Sequence, residues 1–182
     1  MTNHLKTLAL VLLAASLAVA LWPDAPPTRA EGGRFAAQMP AFTLKDPADT
    51  EHAHDRLYAK GAVLIITIPN VKHGDYQSRW SKYLLKKEWP EQGPSLVMLE
   101  DLSQQKDFRD KALEGMKKSF KADKPPMLLI DPTGNVRRSF KVQNDETVVL
   151  IFDSKGALVH AEEEEPTQEA AQRVRKIVEG LK

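Results

Sequence analysis

The sequence predicts an α/β fold: a three-layer α/β/α sandwich whose central mixed sheet ends in a β-hairpin followed by a helix. Three observations carry that reading. Residues 62–68 are nearly all apolar and rich in β-branched side chains, as a strand covered on both faces must be. Apolar runs of strand length alternate with stretches of helical period. Asp153-Ser154-Lys155-Gly156 separates two short β-rich runs, a hairpin signal.

Each element follows in turn. Residues 41–44 make a short first strand between Pro40 and Asp46-Pro47. Residues 50–60 read as a helix capped by Thr50 or Asp49, with Leu57 and Tyr58 near its end and Gly61 stopping it. After the strand 62–68 comes a loop from Pro69 to Asp75. A helix then runs from Asp75 to Trp89, and Tyr76, Trp80, Tyr83 and Leu84 make its apolar face. Residues 96–99 form a second buried strand. Ser103 caps a helix to Phe120, with Phe108, Ala112, Leu113, Met116 and Phe120 as its buried face.

Residues 127–130 are a further strand. They lead into Asp131-Pro132-Thr133-Gly134, with Pro and Gly where a type I turn favours them. Residues 136–142 are ambiguous. Alternation would put Arg138 on one face with Val136, Phe140 and Val142. Helical spacing pairs Val136 with Phe140 and leaves Arg137 and Arg138 outside, and a short helix is preferred. Residues 147–152 and 157–161 are the hairpin strands. Thr167 caps the last helix, which carries Glu169 in its first turn and buries Val174, Ile177, Val178 and Leu181.

Bulk composition excludes several function classes. The chain of 182 residues is 42% apolar and 28% charged, with a net charge of +1, ordinary values for one globular domain. Lys and Glu are interspersed and form no basic stripe, so nucleic-acid binding is not expected. There is no cysteine, which rules out a disulfide, a thiol nucleophile, an iron–sulfur cluster and thiolate-bound zinc.

Residues 1–30 read as an export signal. His4 and Lys6 precede the uncharged run 7–22, which is shorter than the roughly 20 residues of a membrane span. Of two small-residue cleavage sites, Ala18-Val19-Ala20 and Thr28-Arg29-Ala30, the second is preferred because Pro23, Pro26 and Pro27 break any helix ahead of it. Cleavage after Ala30 would leave a flexible lead-in (31–39) and one domain (40–182) in the periplasm, with no stable membrane span. An uncleaved anchor is the alternative. No cysteine follows the run, so a lipid anchor there is excluded.

The element order, βαβα, a connecting segment, then ββα, is the thioredoxin arrangement. Residues 127–136 with 139–142, followed by 148–159, resemble the second half of peroxiredoxin-like members of the thioredoxin superfamily. Within that group they are most similar to the YtfJ-type family of small periplasmic proteins. Those also combine a signal peptide, paired Asp-x-x-Gly turns (here Asp131 to Gly134 and Asp153 to Gly156) and a Thr-led C-terminal helix. The resemblance runs from Pro40 to the C-terminus, topological over the first half and motif-like over 127–181. It implies a thioredoxin-like fold and an exported protein, and supplies no set of catalytic residues.

Departures from active peroxiredoxins matter more. Those enzymes place a Pro, a Thr and a Cys at spacings of four and then three residues after the buried strand. Counted from Pro69, the reactive positions fall on His73 and Tyr76. The position before the third core strand, a cis-proline in thioredoxins and an arginine in peroxiredoxins, falls near Thr147. Thiolate attack on a peroxide or disulfide needs sulfur at this loop, so a thiol oxidoreductase or peroxidase is excluded.

The same loop is nonetheless the candidate site. It lies where open α/β sheets bind ligands, at a strand C-terminus and a helix N-terminus that favours anions. Candidate binding residues are Pro69, Asn70, Lys72 and His73, with Asp145 and Thr147 on the facing segment 144–147. An acid–base enzyme would use His73, Asp75 and Tyr76. The plainer alternative, preferred here, is that Asp75 caps the helix, Gly74 makes the turn and His73 is solvated.

Other motifs read as structural first. His52 and His54 could share a metal only if residues 51–55 were extended. His160 reads as a surface pair with Glu162. Residues 162–165 suit a solvated sheet edge better than a calcium site, and Tyr76, Trp80 and Tyr83 suit the core better than a binding stripe. No metal and no cofactor is expected. The expected function is a redox-inactive binding or accessory module for an envelope protein or small ligand. The alternatives are a thiol-independent enzyme and a membrane-tethered envelope protein.

Overall fold

The computed structural model describes residues 33–67, 75–105, 108–122, 124–163 and 165–181. Its β-branched runs become the middle of one mixed sheet. The strands are β1 (Thr43–Lys45), β2 (Glu51–Ala53), β3 (Ala62–Thr67), β4 (Ser95–Asp101), β5 (Met127–Asp131), β6 (Val148–Phe152) and β7 (Leu158–Glu162), in spatial order β2-β1-β5-β4-β3-β6-β7. β3, β4 and β5 are parallel, whereas β6 and β7 add an antiparallel edge beside β3. This is the α/β arrangement that the sequence predicted.

Side-chain alternation divides the core in two. Val63 and Ile65 pack with Leu96, Val149 and Ile151 beneath α2 (Tyr76–Leu84) and α5 (Gln168–Gly180), where Trp80, Leu84, Val174 and Val178 are buried. Leu64, Ile66, Val97, Leu99 and Leu150 face the other way, against Leu57 of α1 (His54–Leu57) and Phe140 at the end of α4 (Asn135–Ser139). Strands buried on both faces need continuous apolar runs, which is why β3 and β6 read so clearly. Thr167 Oγ1 accepts the Ala170 amide at 3.1 Å, the expected cap of α5.

Several expectations are corrected. Residues 50–60 are not one helix, because residues 51–53 pair antiparallel with β1. The carboxylate of Asp46 accepts the amides of Ala48 and Thr50 at 2.8 and 3.0 Å and closes the hairpin between them, outweighing local helix propensity. Phe35 and Met39, read as part of the lead-in, belong to the core, and Met39 donates its amide to the Gly156 carbonyl. The helix after β3 stops at Leu84. Arg175 of α5 donates to the Leu84 carbonyl that α2 leaves open and to the carbonyls of Lys87 and Glu88 beyond it, and lies over the Trp89 ring.

Helix α3 (Arg109–Ser119) was expected to bury an apolar face, but Ala112, Leu113, Met116 and Phe120 are only half-buried and Phe108 is 64% exposed. Periodicity gave the direction of that face, not its depth. Ser103 is no cap: its amide is taken by Asp101, and the helix begins six residues later. Among the described residues, no helix is long and apolar enough to cross a membrane. Residues 1–30, expected to be an export signal, lie outside the described residues.

Gly134 has φ +70°, and a Cβ there would come within 2.7 Å of Asp101 Oδ2 and Ser103 Oγ. Gly134→Ala is therefore expected to lower stability by about 1–3 kcal/mol, measured by urea unfolding.

Candidate functional site

The mouth is the end of the sheet where β3 and β4 finish, α2 starts and the chain turns into β6. Of the predicted site residues, Pro69, Asn70, Lys72 and His73 lie outside the described residues. The others occupy both sides of the mouth.

Thr147 is buried, and its hydroxyl lies 3.1 Å from that of Thr67 at the end of β3. The segment before β6 is thus tied to the end of β3. Asp145 is exposed. Asp75 begins α2 through its carbonyl, which accepts the Arg79 amide and the Ser78 hydroxyl. Its carboxylate makes no capping bond and lies 3.6 Å from the Arg79 guanidinium, so the side-chain cap expected of Asp75 is corrected.

Arg79 in turn lies over the Tyr76 ring and donates to the Pro166 carbonyl at 2.8 Å. A hydrogen bond to Glu165 holds the Tyr76 phenol above its ordinary pKa. The first turn of α2 is thereby fastened to the segment entering α5.

Beneath the mouth lies a charged network that sequence reasoning missed. Arg137, expected outside, is 2% exposed. Its Nε donates to Asp101 Oδ2 at 2.5 Å and its Nη2 to Asn144 Oδ1 at 2.6 Å, with a further bond to the Val142 carbonyl. The Arg137 amide donates to Asp131 Oδ2 at 2.9 Å. One side chain thus joins the end of β4 to residues 142–144, and its backbone joins β5. The short helix does form, but it turns Arg137 inward because Asp101, fully buried at the end of β4, requires a counter-charge.

Glu100 is the second missed residue. It pairs in register with Thr67 and faces α2 at 5% exposure. Among the described residues, Glu100 Oε2 and the neighbouring Gln77 Nε2 are shielded without a hydrogen-bond partner. Burial pushes the Glu100 carboxyl up to about 7, and the nearby Gln77 amide offsets this only in part. A carboxyl of that kind can hold or release a proton near neutrality.

The remaining motifs have structural partners. His52 bonds Asp46 at 3.0 Å, and His54 packs beside the rings of Phe42 and Tyr58. Burial alone would raise the Asp46 pKa, but its bonds to His52, Thr50 and Ala48 together lower it. Among the described residues, no group of three or more acids and histidines is placed to hold a metal. Glu162 is not solvated as expected: it is 5% exposed and takes two bonds of 3.2 Å from Arg173. Glu163 bonds Arg34 at 2.6 Å, and Arg34 also bonds Glu146, beside Thr147.

Solved structures with the same architecture include a thiol:disulfide interchange protein from a Bacteroides species. It is 17% identical, covers 82% of this chain and 95% of its own, and has a TM-score of 0.56. The fold is thioredoxin-like. The thioredoxin domain of a thiol-disulfide oxidoreductase from Bacteroides vulgatus is 14% identical over 79% of this chain and 97% of its own, with a TM-score of 0.56. The exposed lipoprotein thioredoxin of Streptococcus pneumoniae is 12% identical over 76% and 99%, with a TM-score of 0.59. No protein-family model and no curated protein matches the chain. Against these thioredoxin-like neighbours, this chain has no cysteine.

Removing Arg137 strands a buried carboxylate. Arg137→Ala is expected to cost about 3–5 kcal/mol, read from the denaturant midpoint. Glu100 gives a pH signature. Its folded pKa lies above its unfolded value, so its contribution to stability is complete below pH 4.5 and is lost as pH rises through about 7. Relative to Glu100→Gln, the wild type should lose up to roughly 3 kcal/mol across that window, measured by unfolding at stepped pH.

Proposed function

We propose that this chain is an exported, thioredoxin-like protein of the YtfJ type that acts as a redox-inactive binding or accessory module. Residues 1–30 would be removed after Ala30, and the domain would work in the periplasm. Its site would be the loop from Pro69 to Tyr76 with the facing segment 144–147, taking an envelope protein or a small ligand. One observation carries the reading. The segment before β6 is fixed in place by Thr67, Thr147, Arg137 and Asn144, in a chain with no cysteine. Construction maintained without the nucleophile fits recognition better than thiol chemistry.

Glu100 supports a second reading, a thiol-independent enzyme. Its carboxyl, poised near 7 beside α2, would supply acid–base capacity to His73, Asp75 and Tyr76.

The mature chain, carried on a C-terminal tag, tests the first reading in two ways. It should show no insulin reduction and no peroxidase turnover. After cross-linking in envelope extract it should retain a partner that Thr147→Arg and His73→Ala lose. Turnover above buffer, or capture unchanged by both variants, would refute the binding reading.

A further inference from the structure

A cleft of about 410 Å³ lies between the end of α2 and the outer face of α5, away from the mouth. We infer that it is a docking groove for an acidic, extended peptide segment of a partner protein. This rests on residues separate from the mouth, so either reading can fail without the other.

Charge supplies the first argument. The whole chain carries +1, yet Lys86, Lys87, Arg175 and Lys176 line this cleft against Glu179. The C-terminal end of a helix carries partial negative charge that would ordinarily offset such cations. Here the guanidinium of Arg175 takes up the carbonyls of Leu84, Lys87 and Glu88, which leaves the lysines free to act outward. Lys87 and Lys176 are exposed, and their ammonium groups make no hydrogen bond or ion pair among the described residues. Lys86 reaches only Gln168 Oε1, at 3.5 Å.

Shape supplies the second. The floor is buried Ala171 and half-buried Tyr83, and the lining follows α5 from Gln168 to Glu179. The steps of helix from Gln168 to Glu179 span about 16 Å, the length of roughly five residues of extended chain. Cations from two helices lining one cleft of this length match a row of carboxylates better than a single small anion. A membrane surface fits less well, because interfacial binding needs apolar side chains to insert. The exposed large apolar residue among those described, Phe108, is not part of this lining.

Fluorescence anisotropy with a labelled peptide of about five consecutive Asp and Glu residues tests the inference on the mature chain. The acidic peptide should bind, more weakly as salt is raised, and the Asn/Gln peptide of equal length should not. The double variant Lys87→Glu/Lys176→Glu should weaken binding by about tenfold or more with an unchanged thermal melt. Lys124→Glu, which lines a different cleft, should bind as wild type. Equal affinity for the two peptides, or for wild type and the double variant, would overturn the proposal. So would a preference of the same lysines for phosphatidylglycerol vesicles or single-stranded oligonucleotide over the acidic peptide.

Discussion

The buried pairing of Arg137 with Asp101 is the constraint on which the site end depends. Within residues 142–147, Gln143, Asn144 and Asp145 are exposed, and the segment is held by Arg137 at one end and by Thr67 and Arg34 at the other. A single guanidinium gathers the end of β4, a backbone carbonyl and the Asn144 amide oxygen, while the Arg137 amide is held by Asp131 at the end of β5. Desolvating such a pair is costly, and an apolar substitute could equal its stability. What an apolar residue could not reproduce is direction, because the guanidinium donates along fixed in-plane vectors. The pair therefore sets where the segment before β6 lies.

Two buried acids adjacent in sequence have opposite characters because a strand sends them to opposite faces. Asp101 meets a cation on one side of the sheet. Glu100 lies near the amide of Gln77 on the other, where burial raises its pKa to about 7. The buried groups behind the mouth are two hydroxyls, an ion pair and a weak acid. The weak acid leaves proton transfer chemically open, which gives the enzyme reading a physical basis without a thiol.

The fold was legible because its main signals are redundant. The apolar runs of β3 and β6, the Asp153 to Gly156 turn and the Thr167 cap each act locally and agree with one another. The errors fall where a distant partner decides. Residues 51–53 become a strand because β1 is beside them, and the end of α2 is set by Arg175, about ninety positions away. At the candidate site the order of elements was legible and the buried charges were not. Thr147 was expected just before a core strand, and it stands directly ahead of β6. Glu100 and Asp101 were missed because the apolar run ends at Leu99 and acids after it look like loop. Arg137 was missed because neither helical nor strand spacing can place a charge inside without knowledge of its counter-charge.

The bonds of Arg34 have a practical corollary. Arg34 is held by Glu146, one residue from Thr147, and by Glu163, just past the end of β7. Arg34 thus clasps the rim of the mouth from two directions. A label or immobilising group coupled at Arg34, Glu146 or Glu163 would therefore crowd the space a visitor would use. Coupling near the C-terminal end of α5 avoids that crowding.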